Sequence, residues 1–142
     1  MKRKQKTEKQ LLEIEAEQLW KEACLKMWGD DCLLCHNGTP ANTFHHFVPR
    51  SKCIELKYDV MNGIPVCPKH HSILHGRTNN PLDVAEAVEF IKKKRGKEWC
   101  DYIEKKRKGG NTEFDKIKGT YINRTVKWLQ GQVDKLKDYL NY

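Results

Sequence analysis

Cysteine and histidine are concentrated in one part of this chain, and that concentration restricts how the chain can fold. All six histidines lie between His36 and His75, and four of the six cysteines lie within or beside the same stretch. Residues that only fill a core are scattered along a sequence, whereas metal ligands have to converge on one point. The sequence therefore predicts a fold organised around bound metal.

The first predicted site is a closed, structural zinc site. Cys32 and Cys35 are two residues apart, the spacing at which two thiolates reach one tetrahedral ion, and Cys67 and His70 repeat it. The alternative is that Cys67 fills the core and that His36 competes as a ligand. Cytosolic thiols stay reduced, so no disulfides are predicted. The remaining cysteines have no partner at ligand spacing and are assigned to packing: Cys24, Cys53 and Cys100.

A second constellation uses histidines that this zinc does not need. His71 and His75 are four residues apart, so a helix places both imidazoles on one face. His45 and His46 point to opposite sides of an extended strand, so one can ligate a metal while the other acts as a base. Imidazole suits a base role because its ordinary pKa is about 6.5. Asn62 follows 16 residues after His46.

Residues 32–75 resemble the HNH endonucleases, the ββα-metal finger family. The likeness rests on the Cys32/Cys35 and Cys67/His70 pairs and on three sequence stretches: HHFVPR at 45–50, NGIPVC at 62–67 and HHSILH at 70–75. It implies a hairpin with the histidine pair on its first strand, a loop that holds Asn62, and a helix from about Pro68. The flanking regions bear a looser likeness to phage recombination nucleases of the NinG type.

The resemblance also implies roles for single residues. His46 would be the general base, and Asn62 would fix the loop and orient it through hydrogen bonds. His45 stands where the family often has Asp and would bind the catalytic metal together with His71, while His75 matches a further ligand or phosphate contact. The ion would be Mg²⁺ or Mn²⁺, and the change from Asp to His widens the choice to Ni²⁺ or Zn²⁺. The products would carry 5′-phosphate and 3′-hydroxyl ends.

The charge distribution indicates a polyanionic partner, which the resemblance makes DNA. The net charge is +8, and residues 92–108 carry nine basic against three acidic side chains. Neutralising phosphates releases counterions, which favours binding. The alternative is a solvated helix face. The predicted contacts are Arg50, Lys92, Lys93, Lys94, Arg95, Lys105, Lys106, Arg107 and Lys108.

The whole chain, residues 1–142, is predicted to form one α+β domain that is mostly helical. It comprises an amphipathic helix at 5–28, the ββα-metal finger with its zinc at 30–78, and a basic helical region at 80–142. Asn80 and Pro81 are predicted to start a helix that ends at Gly96, a second follows at 97–108, and Thr112 is predicted to cap a long final helix. Its apolar stripe favours packing within the chain, with pairing in a homodimer as the alternative.

The sequence therefore predicts a metal-dependent DNA endonuclease. The alternatives are a zinc-stabilised nucleic-acid-binding module without catalysis and a structural zinc protein of a larger assembly. No stretch approaches the roughly 18 apolar residues that span a bilayer, and the basic N-terminus does not continue as a signal peptide. A membrane partner is thus not expected, and the predicted location is the cytoplasm of a bacterial or phage-infected cell.

Overall fold

A computed structural model of the chain describes residues 2–50, 52–53, 55–108, 114–115, 120–121 and 126–142. The described part is α+β and mostly helical, as the sequence predicts. Its helices are α1 (Glu8–Trp28), α2 (Pro68–Leu74), α3 (Leu82–Arg95), α4 (Lys97–Lys108) and α5 (Val126–Leu140). Its strands are β1 (Thr43–His46), β2 (Gly63–Val66), β3 (Phe114–Asp115) and β4 (Thr120–Tyr121), and a 3₁₀ turn at Val60–Asn62 precedes β2.

The ends of α1 follow from local capping. Thr7 and Gln10 form a capping box, in which each side chain accepts a hydrogen bond from the other residue's backbone N–H. The helix therefore begins at Glu8 rather than at the predicted residue 5. It ends at Gly29, whose φ of 78° suits glycine.

Strands β1 and β2 form an antiparallel pair that leads directly into α2. The register places His45 opposite Ile64 and His46 opposite Gly63. Every residue of β2 is buried. Cys67 follows the strand directly, and α2 starts at the next residue, Pro68. Because a Cβ at Gly63 would collide with the Cys24 sulfur, glycine allows α1 to lie directly against β2.

The described residues bury two apolar clusters on either side of this β pair. One joins the pair and the cysteine loops to α3 and α4, with Ile91 and Trp99 at its centre. The other lies between α1 and α5, where Leu129 and Val133 pack near Trp20. The apolar stripe of α5 is thus covered within the same chain, and pairing in a homodimer stays a prediction.

Three tryptophans hold the backbone just before β2. Their indole N–H groups, two from α1 and one from α4, donate to three consecutive carbonyl oxygens, each over 2.8 Å. The bonds run from Trp20, Trp28 and Trp99 to Asp59, Val60 and Met61 respectively. Helices that are far apart in sequence therefore converge on the loop that Asn62 ends.

The region after α4 differs from the sequence prediction. A single helix beginning near Thr112 was expected, but Phe114–Asp115 and Thr120–Tyr121 pair as antiparallel strands, and α5 begins only at Val126. Phe, Thr and Tyr favour strands, and this outweighed the apolar stripe. The predicted cap at Thr112 lies outside the described residues.

The helices before this region match the prediction closely. The bounds of α4 are those expected, and α3 ends before Gly96 as expected. The start of α3 lies one residue later than predicted, since Pro81 takes the N-cap position and Leu82 is the first helical residue; the Asn80 side-chain oxygen accepts a hydrogen bond from the Leu82 N–H over 3.0 Å. None of the described helices combines the length and the apolar character that crossing a bilayer requires.

Candidate metal centres

The first cluster consists of the four predicted zinc ligands. The ligand atoms of Cys32, Cys35, Cys67 and His70 all lie within 4.8 Å of one another. His70 Nδ1 is 3.2–3.5 Å from each sulfur, and the Cys35 and Cys67 sulfurs are 3.8 Å apart. A tetrahedral zinc requires about 3.6 Å between sulfur and nitrogen and about 3.8 Å between sulfurs, given bonds of roughly 2.1 and 2.3 Å. The cluster could therefore hold a metal ion such as zinc.

Local backbone structure presents these ligands. Cys32 and Cys35 sit in a tight turn, in which the Cys35 N–H donates to the Cys32 carbonyl over 3.3 Å. Cys67 occupies the N-cap position of α2, which places His70 in the first turn of that helix. His36, the competing ligand, lies outside the cluster, with its exposed ring packed edge-on against Phe90.

The second cluster consists of three imidazoles. Ligand nitrogens of His45, His71 and His75 also lie within 4.8 Å of one another. The Nε2 atoms of His71 and His75 are 2.9 Å apart, close to the roughly 3.0 Å between adjacent ligands at a right angle on an ion with bonds of about 2.1 Å. His45 is buried and His75 is exposed, so the cluster opens to solvent on one side, which a catalytic ion requires.

Burial lowers the pKa of two of the three clustered histidines. Burial, together with the neighbouring histidines, lowers the pKa of His45 to about 4. The pKa of His71 is also lowered, first by burial and then by His75. Neutral imidazole is the form that binds metal, so the environment favours the ligating form.

His46 lies beside the second cluster but has different contacts. Its ring stacks on the Trp20 indole, and its Nε2 is 3.0 Å from the Lys57 carbonyl oxygen. Because a carbonyl can only accept, Nε2 carries the proton of the neutral ring, and Nδ1 keeps its lone pair. Burial lowers the pKa of His46 to about 4, which keeps the ring neutral at neutral pH.

One open cleft of about 720 Å³ contains both His46 and the three clustered histidines. The sequence did not identify several of its lining residues, including Glu17 and Lys21 of α1 and Lys57 of the loop. Their positions depend on α1 folding back over β1, which no local sequence signal reveals. Arg50 also lines the cleft, where it forms an ion pair with Glu17 over 3.6 Å.

Asn62 fixes the loop but does not touch the predicted base. Its buried amide accepts a hydrogen bond from the Val48 N–H over 2.8 Å and donates to the Val48 and Leu56 carbonyls over 3.0 and 3.1 Å. Within the described residues, no hydrogen bond joins Asn62 to His46. The amide joins the backbone at Val48 to the backbone at Leu56, the residue before Lys57. The structure thus shows how Asn62 fixes the loop, and its predicted part in catalysis stays a prediction.

Comparisons with known proteins do not assign either cluster. No protein-family model matches the chain, and neither the curated proteins nor the solved structures gave a match. What the two clusters can do is therefore inferred from their own geometry and chemistry.

The predicted basic clusters lie on helices that do not line the cleft. Lys92, Lys93 and Lys94 are exposed on α3, and Lys92 lies 3.9 Å from Glu89. On α4, Lys105 is exposed, Lys106 is half-buried, and Arg107 and Lys108 both pair with Glu104. Contact of these clusters with DNA stays a prediction.

Arg95 has contacts that the neighbouring lysines lack. Its guanidinium lies 3.4 Å from the centre of the Trp28 ring, and Nη2 donates to the Gly63 carbonyl over 2.9 Å. Burial lowers its pKa to about 10. Arg95 therefore joins α3 to α1 and β2 and is half-buried, which makes it less accessible than Lys92, Lys93 and Lys94; its contact with DNA stays a prediction.

Proposed function

We propose that this protein is a metal-dependent DNA endonuclease of the HNH type. The observation that carries the proposal is the convergence of His45, His71 and His75 in one cleft with His46. The cysteine-rich cluster does not account for these histidines, because its own four ligands complete the coordination of a tetrahedral ion. The strand–strand–helix order of β1, β2 and α2 supports the same proposal, as do the sequence motifs that resemble the family.

The first cluster is proposed to hold a structural zinc. Three thiolates and one imidazole form a soft donor set that suits zinc and leaves no position for substrate. Its ligands come from the turn after α1 and from the start of α2. Zinc would thus join these two segments and hold α2 against the β pair.

The second cluster is proposed to hold the catalytic divalent ion. The resemblance implies Mg²⁺ or Mn²⁺, whereas the three imidazole nitrogens are better suited to Ni²⁺ or Zn²⁺, because Mg²⁺ prefers oxygen ligands. His45, His71 and His75 would hold it. The ion would supply positive charge to the scissile phosphate and its leaving oxygen.

His46 is proposed to act as the general base. With Nε2–H bonded to the Lys57 carbonyl, Nδ1 can take a proton from the attacking water. The new bond joins the water oxygen to phosphorus, the bond from phosphorus to the 3′ oxygen breaks, and the departing 3′ oxygen takes a proton from solvent. The products would be a 5′-phosphate and a 3′-hydroxyl. Arg50, which lines the same cleft, would bind a phosphate oxygen.

Plasmid cleavage tests this proposal directly. Supercoiled plasmid is incubated with the zinc-loaded protein and with Mg²⁺, Mn²⁺, Ni²⁺ or added Zn²⁺ in turn. We expect cleavage that requires added metal and that falls by about 10²–10⁴-fold in His46→Ala. His36→Ala removes an exposed histidine outside both clusters and serves as the matched control. DNA binding without cleavage under every condition would reject the nuclease and favour the non-catalytic nucleic-acid-binding module.

A further inference from the structure

A second cavity continues from the histidine cleft along α1. It has a volume of about 300 Å³, and its walls are the outer face of the N-terminal half of α1 and the loop around Tyr58. Three residues line both cavities: Glu17, Arg50 and Lys57. The two cavities therefore adjoin, and together they form one groove that leads away from the histidines.

The groove carries an excess of positive charge. Its basic lining residues are Lys6, Lys21, Arg50 and Lys57, and its acidic ones are Glu13 and Glu17. Glu17 is already engaged with Arg50 over 3.6 Å and with Lys21 over 4.0 Å. These cations come from α1, the segment before it and the loop after β1, so only the folded chain brings them together.

Lys57 lies at the junction of the two cavities. No ion pair within 4.0 Å joins its ammonium group to an acidic side chain in the described part of the chain, and the more distant carboxylates of Glu13 and Glu17 act on it electrostatically. The group lies over the Tyr58 ring, 5.3 Å from its centre, and the side chain is half-buried. A half-buried ammonium that no carboxylate contacts directly, at the edge of a cleft, is suited to bind an anion from solution.

We infer that this groove along α1 binds the DNA backbone next to the histidine cleft, with Lys57 and Arg50 at the junction and Lys6 at the far end. The inference rests on the proposed nuclease function and gives that function a path for its substrate. It differs from the path that the sequence suggests, because none of the α3 and α4 residues lines either cavity. The segment before α1, which contributes Lys6 to the groove, also carries Lys2, Arg3 and Lys4.

The test measures DNA affinity separately from cleavage. Fluorescence anisotropy of a short labelled duplex is recorded across a salt series, without added divalent ion. The double variant Lys6→Gln/Lys57→Gln should bind about fivefold more weakly per lost phosphate contact near 0.15 M salt, and its salt slope should fall by about 0.9 per contact. Lys57→Arg keeps the charge and should restore binding at the junction. Lys92→Gln/Lys93→Gln removes equal charge from α3 and should leave both quantities near wild type.

The possible results distinguish a failure of the groove inference from a failure of the nuclease proposal. Wild-type affinity and slope in Lys6→Gln/Lys57→Gln, with plasmid cleavage intact, would overturn the groove and leave the nuclease standing. Groove-dependent binding without cleavage would overturn the nuclease and leave the groove standing. Loss of affinity only in Lys92→Gln/Lys93→Gln would move the path to α3. A wild-type protein that binds no duplex at low salt would overturn both.

Discussion

The indole ring of Trp20 lies flat on the imidazole ring of His46, with ring centres 4.0 Å apart and planes within 9° of parallel. Both rings are tied to the same short segment, since Trp20 donates to the Asp59 carbonyl and His46 bonds to the Lys57 carbonyl. A residue of α1 thus fixes the proposed base of a site that is otherwise built from β1 and α2. This contact makes α1 part of the site rather than a separate support.

Replacing the indole ring of Trp20 by a phenyl ring is expected to slow DNA cleavage as well as to lower stability. Trp20→Phe loses the indole hydrogen bond and part of the stacking surface, and should lower the free energy of unfolding by about 1–3 kcal/mol. It should also slow DNA cleavage, because His46 is held less firmly. Trp28→Phe loses an equivalent bond, to Val60, without touching His46, and should lower stability alone. Denaturant unfolding measures the stability of both variants, and plasmid cleavage measures their rates. Equal cleavage rates in Trp20→Phe and Trp28→Phe would contradict the role of Trp20.

Asn62 is expected to contribute to folding rather than to chemistry. Asn62→Ala leaves backbone groups of Val48 and Leu56 without partners in the interior, and each such group costs about 1–3 kcal/mol. Urea unfolding of the zinc-loaded protein measures the loss. Asn42→Ala removes an exposed amide and should be neutral. A variant Asn62→Ala that keeps wild-type stability but loses cleavage would return Asn62 to the catalytic residues.

The sequence identified the paired members of both clusters because ligand spacing within each pair is local, whereas His45 was assigned through the resemblance to the HNH family. Two-residue spacing in a turn and four-residue spacing on a helix bring side chains together whatever the rest of the fold does. The lining of the cleft could not be found in this way. Trp20 lies within the predicted amphipathic helix at 5–28, and nothing local marks it or Lys57 as part of a site, because their positions in the cleft depend on how α1 crosses β1.

For the basic run at 92–95, the sequence predicts the charge but not the direction in which each side chain points. Four consecutive cations on a helix point in different directions, so one of them can face the interior while the others remain in solvent. Composition gives the charge of such a run but not its orientation. Arg95 is the member of the run that turns inward, because its guanidinium contacts the Trp28 ring and the Gly63 carbonyl. Both partners are distant from it in sequence.

Replacing one thiolate should remove the proposed zinc. Cys67→Ser removes a ligand from the first cluster, so the purified protein should lose close to one equivalent of zinc and unfold at lower denaturant, because structural zinc contributes directly to folding. Elemental analysis measures the metal. Cys100→Ser changes a cysteine outside the cluster and should retain zinc. Full zinc content in Cys67→Ser would contradict the four-ligand site.

The second cluster should bind its metal independently of the first. His71→Ala removes one of three imidazoles, so the binding of added Mn²⁺ should weaken by at least tenfold while the structural zinc is retained. Electron paramagnetic resonance of free Mn²⁺ reports the affinity, and His36→Ala provides the control. If His71→Ala binds Mn²⁺ as tightly as the wild type, the three histidines do not form the site.

Arg95 provides the clearest separation of folding from DNA binding. Arg95→Lys keeps the positive charge but loses the planar group that stacks on Trp28 and donates to Gly63. It should therefore lower the free energy of unfolding by about 1–3 kcal/mol. Because the guanidinium faces the interior, the salt dependence of DNA binding should not change, even in Arg95→Met. Lys94→Met removes an exposed charge from the neighbouring position and should leave stability unchanged. A lower salt slope in Arg95→Met at wild-type stability would show that Arg95 reaches DNA after all.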